Sequence, residues 1–460
     1  MPLKQSPALN IELGAQLQIV KARLPSSAKK FLREKLFIFN SEYFVKQQLG
    51  KPVYDVPKFF DLIEKDPPYL RLPRGFLDQL TSFLDKENIS YTVTHRHPEF
   101  ASYRYDNTIK LRNQQKRIIT QAFDAGEGVI VAPPGSGKTI MGLELVAQHQ
   151  KPALILTHRK ELLNQWVEHI EKYFGIPKKQ IGTYCAERKK IGTQITVGLL
   201  QSFARSKDPA DFTDKFGVII IDECHHIPAK TFRAVITHLN AAHIYGLTAT
   251  PKRKHNDEQL IYLYIGDIVA TMQSDSDKKE SGFDISIRET SLQLPFDWKI
   301  DQYELLAKVI CYDTARNKLI VKDILDQLKM NRKVLVLSER KEHLSILNLY
   351  LRDQAETIVF SGDDTTKNRA IKLQQINDGE YKILLATGQI FGEGMHVPNV
   401  EVLILAFPFA FEGKLVQYVG RLLHGASPRK LIDYRDTHVE ILEKQFTKRQ
   451  RYYKKIQKTA

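Results

Sequence analysis

From about residue 108 the chain settles into short apolar runs separated by amphipathic stretches. "GVIVAP", "PALILTH", "QITVGLL", "GVIIIDE" and "IYGLTAT" form one set; "KVLVLSE", "ETIVFSG", "YKILLATG" and "VEVLILAF" form a second. Runs of this kind alternating with helices are the signature of a parallel sheet covered on both faces. The polar stretch "QSDSDKKESG" at 273–282 interrupts the pattern and reads as a loop or linker, so two α/β lobes stand in tandem. Residues 1–107 have a different texture. In "NIELGAQLQI" the residues Ile11, Leu13, Ala15, Leu17 and Ile19 alternate with mostly polar neighbours, the period of a half-buried strand. "LPRGFLDQLTSFLDKEN" places Phe76, Leu77, Leu80, Phe83 and Leu84 on one helical face, and "ISYTVTH" returns to alternation. The expected division is an N-terminal α/β domain over 1–107, a first lobe over 108–290 and a second over 291–460, with no short-period repeat.

Composition narrows the class. A chain of 460 residues is long enough for about three domains, and 42% apolar with 26% charged residues is ordinary for a globular protein. No apolar run approaches the ~18–20 residues needed to cross a bilayer. The formal charge of +15 asks for a polyanionic partner, with nucleic acid first and charge for solubility as the plain alternative. Cys185, Cys224 and Cys311 are far apart and form no C-x-x-C pair, which argues against a disulfide framework or zinc module and for a reducing, cytoplasmic setting. "MPLKQSPALNIELGAQ" has no apolar core of signal-peptide length, so no export is expected. The tail "KQFTKRQRYYKKIQK" is basic with interleaved aromatics and helical at its start; it fits a solvated helix or a nucleic-acid contact equally.

The chemistry starts at "APPGSGKT", 132–139, between the strand "GVIV" and the helix "IMGLELVAQ". A loop of this kind, here Pro134 to Gly137, wraps phosphates with the backbone N–H groups of its non-proline residues, helped by the helix N-terminus. Lys138 reaches the β- and γ-phosphates of ATP and Thr139 a magnesium ion. Ala132 stands for the first glycine of the usual pattern, while Gly135 and Gly137, where backbone must come close, remain. The strand "GVIII" ends in "DECHH", placing Asp222 and Glu223 at the carboxyl end of a sheet. Asp222 can hold magnesium and Glu223 can draw a proton from the attacking water. Adjacent residues on a strand point oppositely, so the chain must turn there. Two acids that merely cap the next helix are the alternative.

These motifs, read in order with "GLTATP" (246–251), "ATGQIFGEGMHVPNV" (386–400) and "QYVGRLLHG" (417–425), resemble the superfamily 2 helicases of the DExH type. The resemblance spans roughly 108–457 and is nearest to the branch containing XPB and related bacterial and phage DNA helicases. It implies two RecA-like lobes with ATP between them, closing and opening on a nucleic-acid strand with each hydrolysis. "LRNQQ" is similar to the branch's L-R-x-Y-Q opening, which puts Gln115 at the adenine, although Gln114 replaces the usual aromatic. "LPRG" resembles, more weakly, a module that precedes the motor in some members. By the same resemblance Thr248 and Thr250 link the ATP site to the DNA track. Thr157, Arg159, Gln201, Arg340 and Thr387 fall at backbone-contact positions, which grip phosphates without reading bases; both arginines could instead be plain surface charges.

In the second lobe Arg421 is the expected arginine finger, with Gln417 orienting water and Gly394 near the nucleotide; such fingers contribute ~10³–10⁵ in rate. Two positions depart from the family. His424 replaces a second arginine and His396 replaces an acid near the ribose, so one positive and one negative charge are lost together. Imidazole cannot reproduce a bidentate guanidinium, which predicts an active ATPase with a less firmly held closed state. The resulting expectation is an ATP- and magnesium-dependent DNA helicase or translocase. It would move 3′→5′, act as a monomer, and work on single-stranded, forked or branched DNA in repair, recombination or replication. An RNA helicase and a nucleotide-gated clamp with weak ATPase are the alternatives. Small-molecule phosphotransfer would leave the second lobe unexplained.

Overall fold

A computed structural model describes residues 8–48, 52–54, 56–206, 208–226, 229–249, 259–272, 284–296, 303–388, 391, 397–410, 414–415, 418–419 and 430–458. The chain forms two compact units, Met1–Gln273 and Ser274–Ala460.

The first unit holds an eight-stranded sheet, parallel except for the short edge strand Lys189–Lys190. Its centre runs Ile195–Leu199, Ala153–Thr157, Val218–Asp222, His243–Thr248 and Gly128–Val131. These are the five apolar runs of the first set. Every residue of Val218–Asp222 is buried, because a parallel strand under helices on both faces has no solvent side. This order brings the carboxyl ends of Gly128–Val131, His243–Thr248 and Val218–Asp222 side by side.

In front of it lies a five-stranded mixed sheet. Here the alternation in "NIELGAQLQI" belongs to two strands: Leu9–Leu13 and Gln16–Val20 pair antiparallel, with Leu13 opposite Leu17. Leu13 and Leu17 are four positions apart, so the inward-facing residues stay in phase across the turn at Gly14 and Ala15. The helix Leu77–Lys86 buries Leu80 and Leu84 as the pattern predicts. The helix Ser26–Leu36 leads into a separate two-stranded ribbon, Phe37–Phe39 with Phe59–Asp61. This N-terminal module is not a free domain. Leu72, Phe76 and Leu80 share one core with Phe232, Leu260 and Ile265 of the first lobe. Buried Arg74 also donates to Ala241 O at 2.8 Å and pairs with Glu127 at 2.6 Å.

The second unit has a six-stranded, all-parallel sheet ordered Asp284–Glu289, Lys430–Arg435, Val402–Leu405, Val334–Ser338, Ile383–Thr387, Thr357–Phe360. The boundary expected at residue 290 is therefore misplaced. Asp284–Glu289 runs along Lys430–Arg435 through six residue pairs, and Thr290 Oγ1 donates to Asp436 Oδ1 at 2.6 Å, so this strand belongs to the second sheet. The basic tail forms the helix Glu440–Lys458. Arg449 on it is not a surface charge: it is 1% exposed, pairs with Asp433 at 2.8 Å and donates to Phe409 O at 2.6 Å. Among the described residues no helix is long and apolar enough to cross a membrane.

Candidate functional site

Gly128–Val131 delivers the chain into the phosphate loop, and Ala132 N–H donates to Thr248 O at 2.9 Å, tying the loop's entry to the neighbouring strand end. Pro134 and Gly135 form the outer turn, where Ser136 N–H donates to Pro133 O at 3.2 Å. Gly135 and Gly137 have φ of 71° and 86°, a region that glycine enters without steric cost. At Gly137 a Cβ would also stand 2.5 Å from Gln115 Nε2. Lys138 and Thr139 then open the helix Lys138–His149.

Gln115, expected at an adenine, braces the phosphate loop. Its Nε2 donates to Ser136 O at 2.8 Å and its Oε1 accepts from Arg112 N–H at 2.8 Å, leaving it 4% exposed. Arg112 Nη2 donates to the same Ser136 O at 2.6 Å. Both ends of the amide are engaged within the protein, which accounts for its burial.

Lys138 Nζ lies 3.3 Å from Glu223 Oε1, and both side chains are largely buried. Asp222 is fixed by Trp166 Nε1, which donates to Oδ2 at 2.8 Å. Burial, then the Glu223 charge, pushes the Asp222 carboxyl above the usual carboxylate range; Trp166 and Lys138 oppose the shift. Glu223 has φ of 47°, a left-handed conformation that costs a non-glycine residue energy. That conformation is the expected turn. It redirects the chain after Val218–Asp222, so that two successive carboxylates serve one site.

His225, which sequence reasoning passed over, extends the site toward the "TAT" segment. It is 6% exposed, and its Nδ1 lies 2.7 Å from Thr248 Oγ1 and 3.4 Å from Glu223 Oε2. Lys138, Glu223, His225 and Thr248 thus form a continuous polar chain from the phosphate loop to the end of His243–Thr248. The fourth position of "DECH" was the signal for His225; Trp166 and Arg112 gave none.

The donor set fits a nucleoside triphosphate with a divalent cation. It offers one buried ammonium, a hard carboxylate, the half-buried Thr139 hydroxyl and the buried Ser136 Oγ, which has no hydrogen-bond partner among the described residues.

Three of the residues expected at a nucleic-acid backbone come together at the carboxyl ends of two central strands of the first sheet. Thr157 ends a strand beside Leu199, Thr157 Oγ1 donates to Arg159 O at 3.2 Å, and Gln201 Nε2 donates to His158 O at 3.1 Å. In the second unit Thr387 pairs with Ser338 at adjacent strand ends, two residues from Arg340. Arg340 is held by both oxygens of Glu304, at 2.9 and 3.1 Å. Tyr418 of "QYVGR" is a core residue; its hydroxyl donates to Glu339 Oε1 at 3.1 Å. Thr250, Gly394, His396, Gln417, Arg421 and His424 lie outside the described residues.

A family model described as the res subunit of type III restriction enzymes matches residues 108–253, and the helicase conserved C-terminal domain matches 316–425. Together they take in more than half of the chain. A putative DNA 3′-5′ helicase Rad25 of Haloarcula marismortui is 25% identical over 71% of this chain and 52% of its own length. The DNA 3′-5′ translocase XPB2 of Sulfurisphaera tokodaii is 23% identical over 70% of this chain and 81% of its own length. The chain belongs to the superfamily 2 helicases, of the XPB-like type. This helicase spans about half the length of the haloarchaeal relative. In fold it is similar to the helicase domain of Pyrococcus furiosus Hef, with a TM-score of 0.50 and 16% identity over 74% of this chain and 98% of that structure. Both family matches begin after the N-terminal module of the helicase.

Proposed function

We propose that this chain is an ATP- and magnesium-dependent DNA helicase or translocase that moves 3′→5′ on single-stranded, forked or branched DNA, in repair, recombination or replication. The observation that carries the reading is the Lys138–Glu223 pair at 3.3 Å beside Asp222, at the foot of a loop shaped by Gly135 and Gly137. ATP competes for Lys138. As the ammonium turns to the β- and γ-phosphates it releases Glu223, which becomes free to act as a base. The water oxygen bonds to the γ-phosphorus as the bond to the β–γ bridging oxygen breaks, and the water's proton passes to Glu223. Ser136 Oγ and the loop's backbone hold the phosphates in place. Thr139 and Asp222 would hold magnesium, which supplies charge neutralisation on the phosphate oxygens. Gly394 and His396 are assigned to the nucleotide, Gln417 to the water, and Arg421 to the charge that develops on the transferred group, with His424 in a tuning role.

DNA, not RNA, is the proposed track, and Thr157, Arg159, Gln201, Arg340 and Thr387 are its proposed phosphate contacts. The relatives named DNA helicase and DNA translocase support this reading. The N-terminal module is proposed to bind DNA as well. A nucleotide-gated clamp is the second reading, favoured by histidines at 396 and 424 in place of an acid and an arginine. A strand-displacement panel of forks, Holliday junctions, tailed duplexes and RNA duplexes, run with wild type and Lys138→Ala, separates these. The proposal expects ATP-dependent displacement of forked DNA that Lys138→Ala abolishes. ATP hydrolysis with no substrate displaced would leave translocation without strand separation or the clamp.

A further inference from the structure

The ribbon Phe37–Phe39 with Phe59–Asp61 has an unusual outer face. Register puts Ile38 opposite Phe60 on the inner side, where both pack on the core. Phe37, Phe39 and Phe59 point the other way and are 42%, 45% and 39% exposed. A ribbon with one solvated face ordinarily carries polar residues there. Here Phe37 stacks on Phe59 at 4.8 Å between centroids, with 16° between ring planes, and Phe39 meets Phe59 edge-on at 5.6 Å.

The ribbon is also held by hydrogen bonds that do not involve those rings. Asn40, 2% exposed, donates through Nδ2 to Pro57 O at 2.8 Å, and its backbone N–H donates to Lys58 O at 3.0 Å. The surroundings are cationic. Lys58 Nζ sits 5.9 Å from the Phe59 centroid, and Lys29, Lys30, Arg33 and Lys35 are exposed on the helix that runs into Phe37. Residues 21–65 carry ten Lys and Arg against five Asp and Glu. Aromatic faces with flanking cations on a fixed ribbon are what unpaired nucleic-acid bases require: rings to stack on and ammonium groups for the phosphates between them.

We propose that Phe37, Phe39 and Phe59 form a base-stacking platform for unpaired DNA, outside the two motor lobes. The inference rests on the reading of the chain as a DNA motor, and deepens it by giving the N-terminal module a defined contact. Stacking acts on bases, whereas the proposed motor contacts act on phosphates, so the two are separable.

The test is equilibrium binding of the full chain, without nucleotide, to a single-stranded oligonucleotide and to an abasic oligonucleotide of equal length. Wild type binds the base-bearing strand more tightly. Phe37→Leu/Phe39→Leu/Phe59→Leu weakens that binding about ten-fold or more and leaves the abasic affinity and the melting temperature in place. Tyrosine at the same positions retains the preference. Lys58→Ala weakens both ligands together. The platform is overturned if wild type does not discriminate between the strands or if the leucine variant keeps the discrimination. A sedimentation shift from dimer to monomer in that variant would also overturn it, by making the face a self-association surface. Absence of DNA-stimulated ATP turnover in wild type would instead remove the motor reading, a result independent of the binding comparison.

Discussion

His225 holds Thr248 Oγ1 at 2.7 Å and Glu223 Oε2 at 3.4 Å, so it orients the proposed base. His225→Ala should lower kcat for ATP about ten-fold with little change in KM, because positioning acts on the transition state more than on substrate binding. Steady-state turnover checks this; an unchanged kcat would leave the histidine a packing residue. A second buried histidine controls stability. His343 is fully buried, with Ser338 Oγ at 3.1 Å from Nδ1 and Asn317 Oδ1 at 2.9 Å from Nε2. Burial, then the Arg316 charge, lowers its pKa from 6.5 to about 3. The unfolded chain therefore takes up this proton first as the pH falls. The stability this histidine contributes is complete above about 6.5 and is lost progressively down to about 3, at up to ~1.4 kcal/mol per pH unit. His149 is lowered to about 3 by burial and acts with the same sign. Denaturant unfolding at pH 7 and 5.5 should thus show a smaller loss in His343→Gln than in wild type.

At the scale of elements, the N-terminal module is locked to the first lobe by Arg74, whose guanidinium pairs with Glu127 and bonds Ala241 O. The adjoining Gly75 leaves no space: a Cβ there would stand 2.4 Å from Tyr262 O. Arg74→Ala removes one partner of a largely buried pair and should cost about 2–4 kcal/mol, read as a lower denaturant midpoint for Met1–Gln273 by hydrogen exchange. How far the elements were legible in sequence follows from their periodicity. Val218–Asp222 and Ile383–Thr387 announce themselves as continuous apolar runs because both faces are covered. The Phe37–Phe39 ribbon did not, because aromatics on its exposed face erase the alternation. The turn at Gly14 was hidden because the even spacing of Leu13 and Leu17 keeps the phase across it. Contacts between distant residues left no local signal: Trp166 reaches Asp222 across 56 positions. Arg449 read as tail charge because its partner Asp433 lies on another element. The phosphate loop and the acid pair were legible because their chemistry depends on spacing within one short segment. The bracing role of Gln115 depends on a fold-level approach to Ser136 and was not.

At the scale of the molecule, the +15 charge fits the proposed grip on an anionic polymer through its phosphates. DNA affinity should fall linearly with salt on a log–log plot, with a slope of about −0.7 per phosphate contacted on single strands. Arg340 now spends its guanidinium on Glu304. If it exchanges that partner for a phosphate, Arg340→Ala should make the slope shallower by about 0.7 and weaken all sequences alike. A slope identical to wild type would place Arg340 off the track. The proposed hydrolytic chemistry lies in the first unit, where Lys138, Glu223 and Asp222 meet at the loop. The most direct measurement is ATP turnover with and without single-stranded DNA, in wild type and Lys138→Ala. Turnover is expected to rise with DNA and to fall by a factor of about 100 or more in the variant. Turnover in Lys138→Ala equal to wild type, or a wild type indifferent to DNA, would contradict the proposed function.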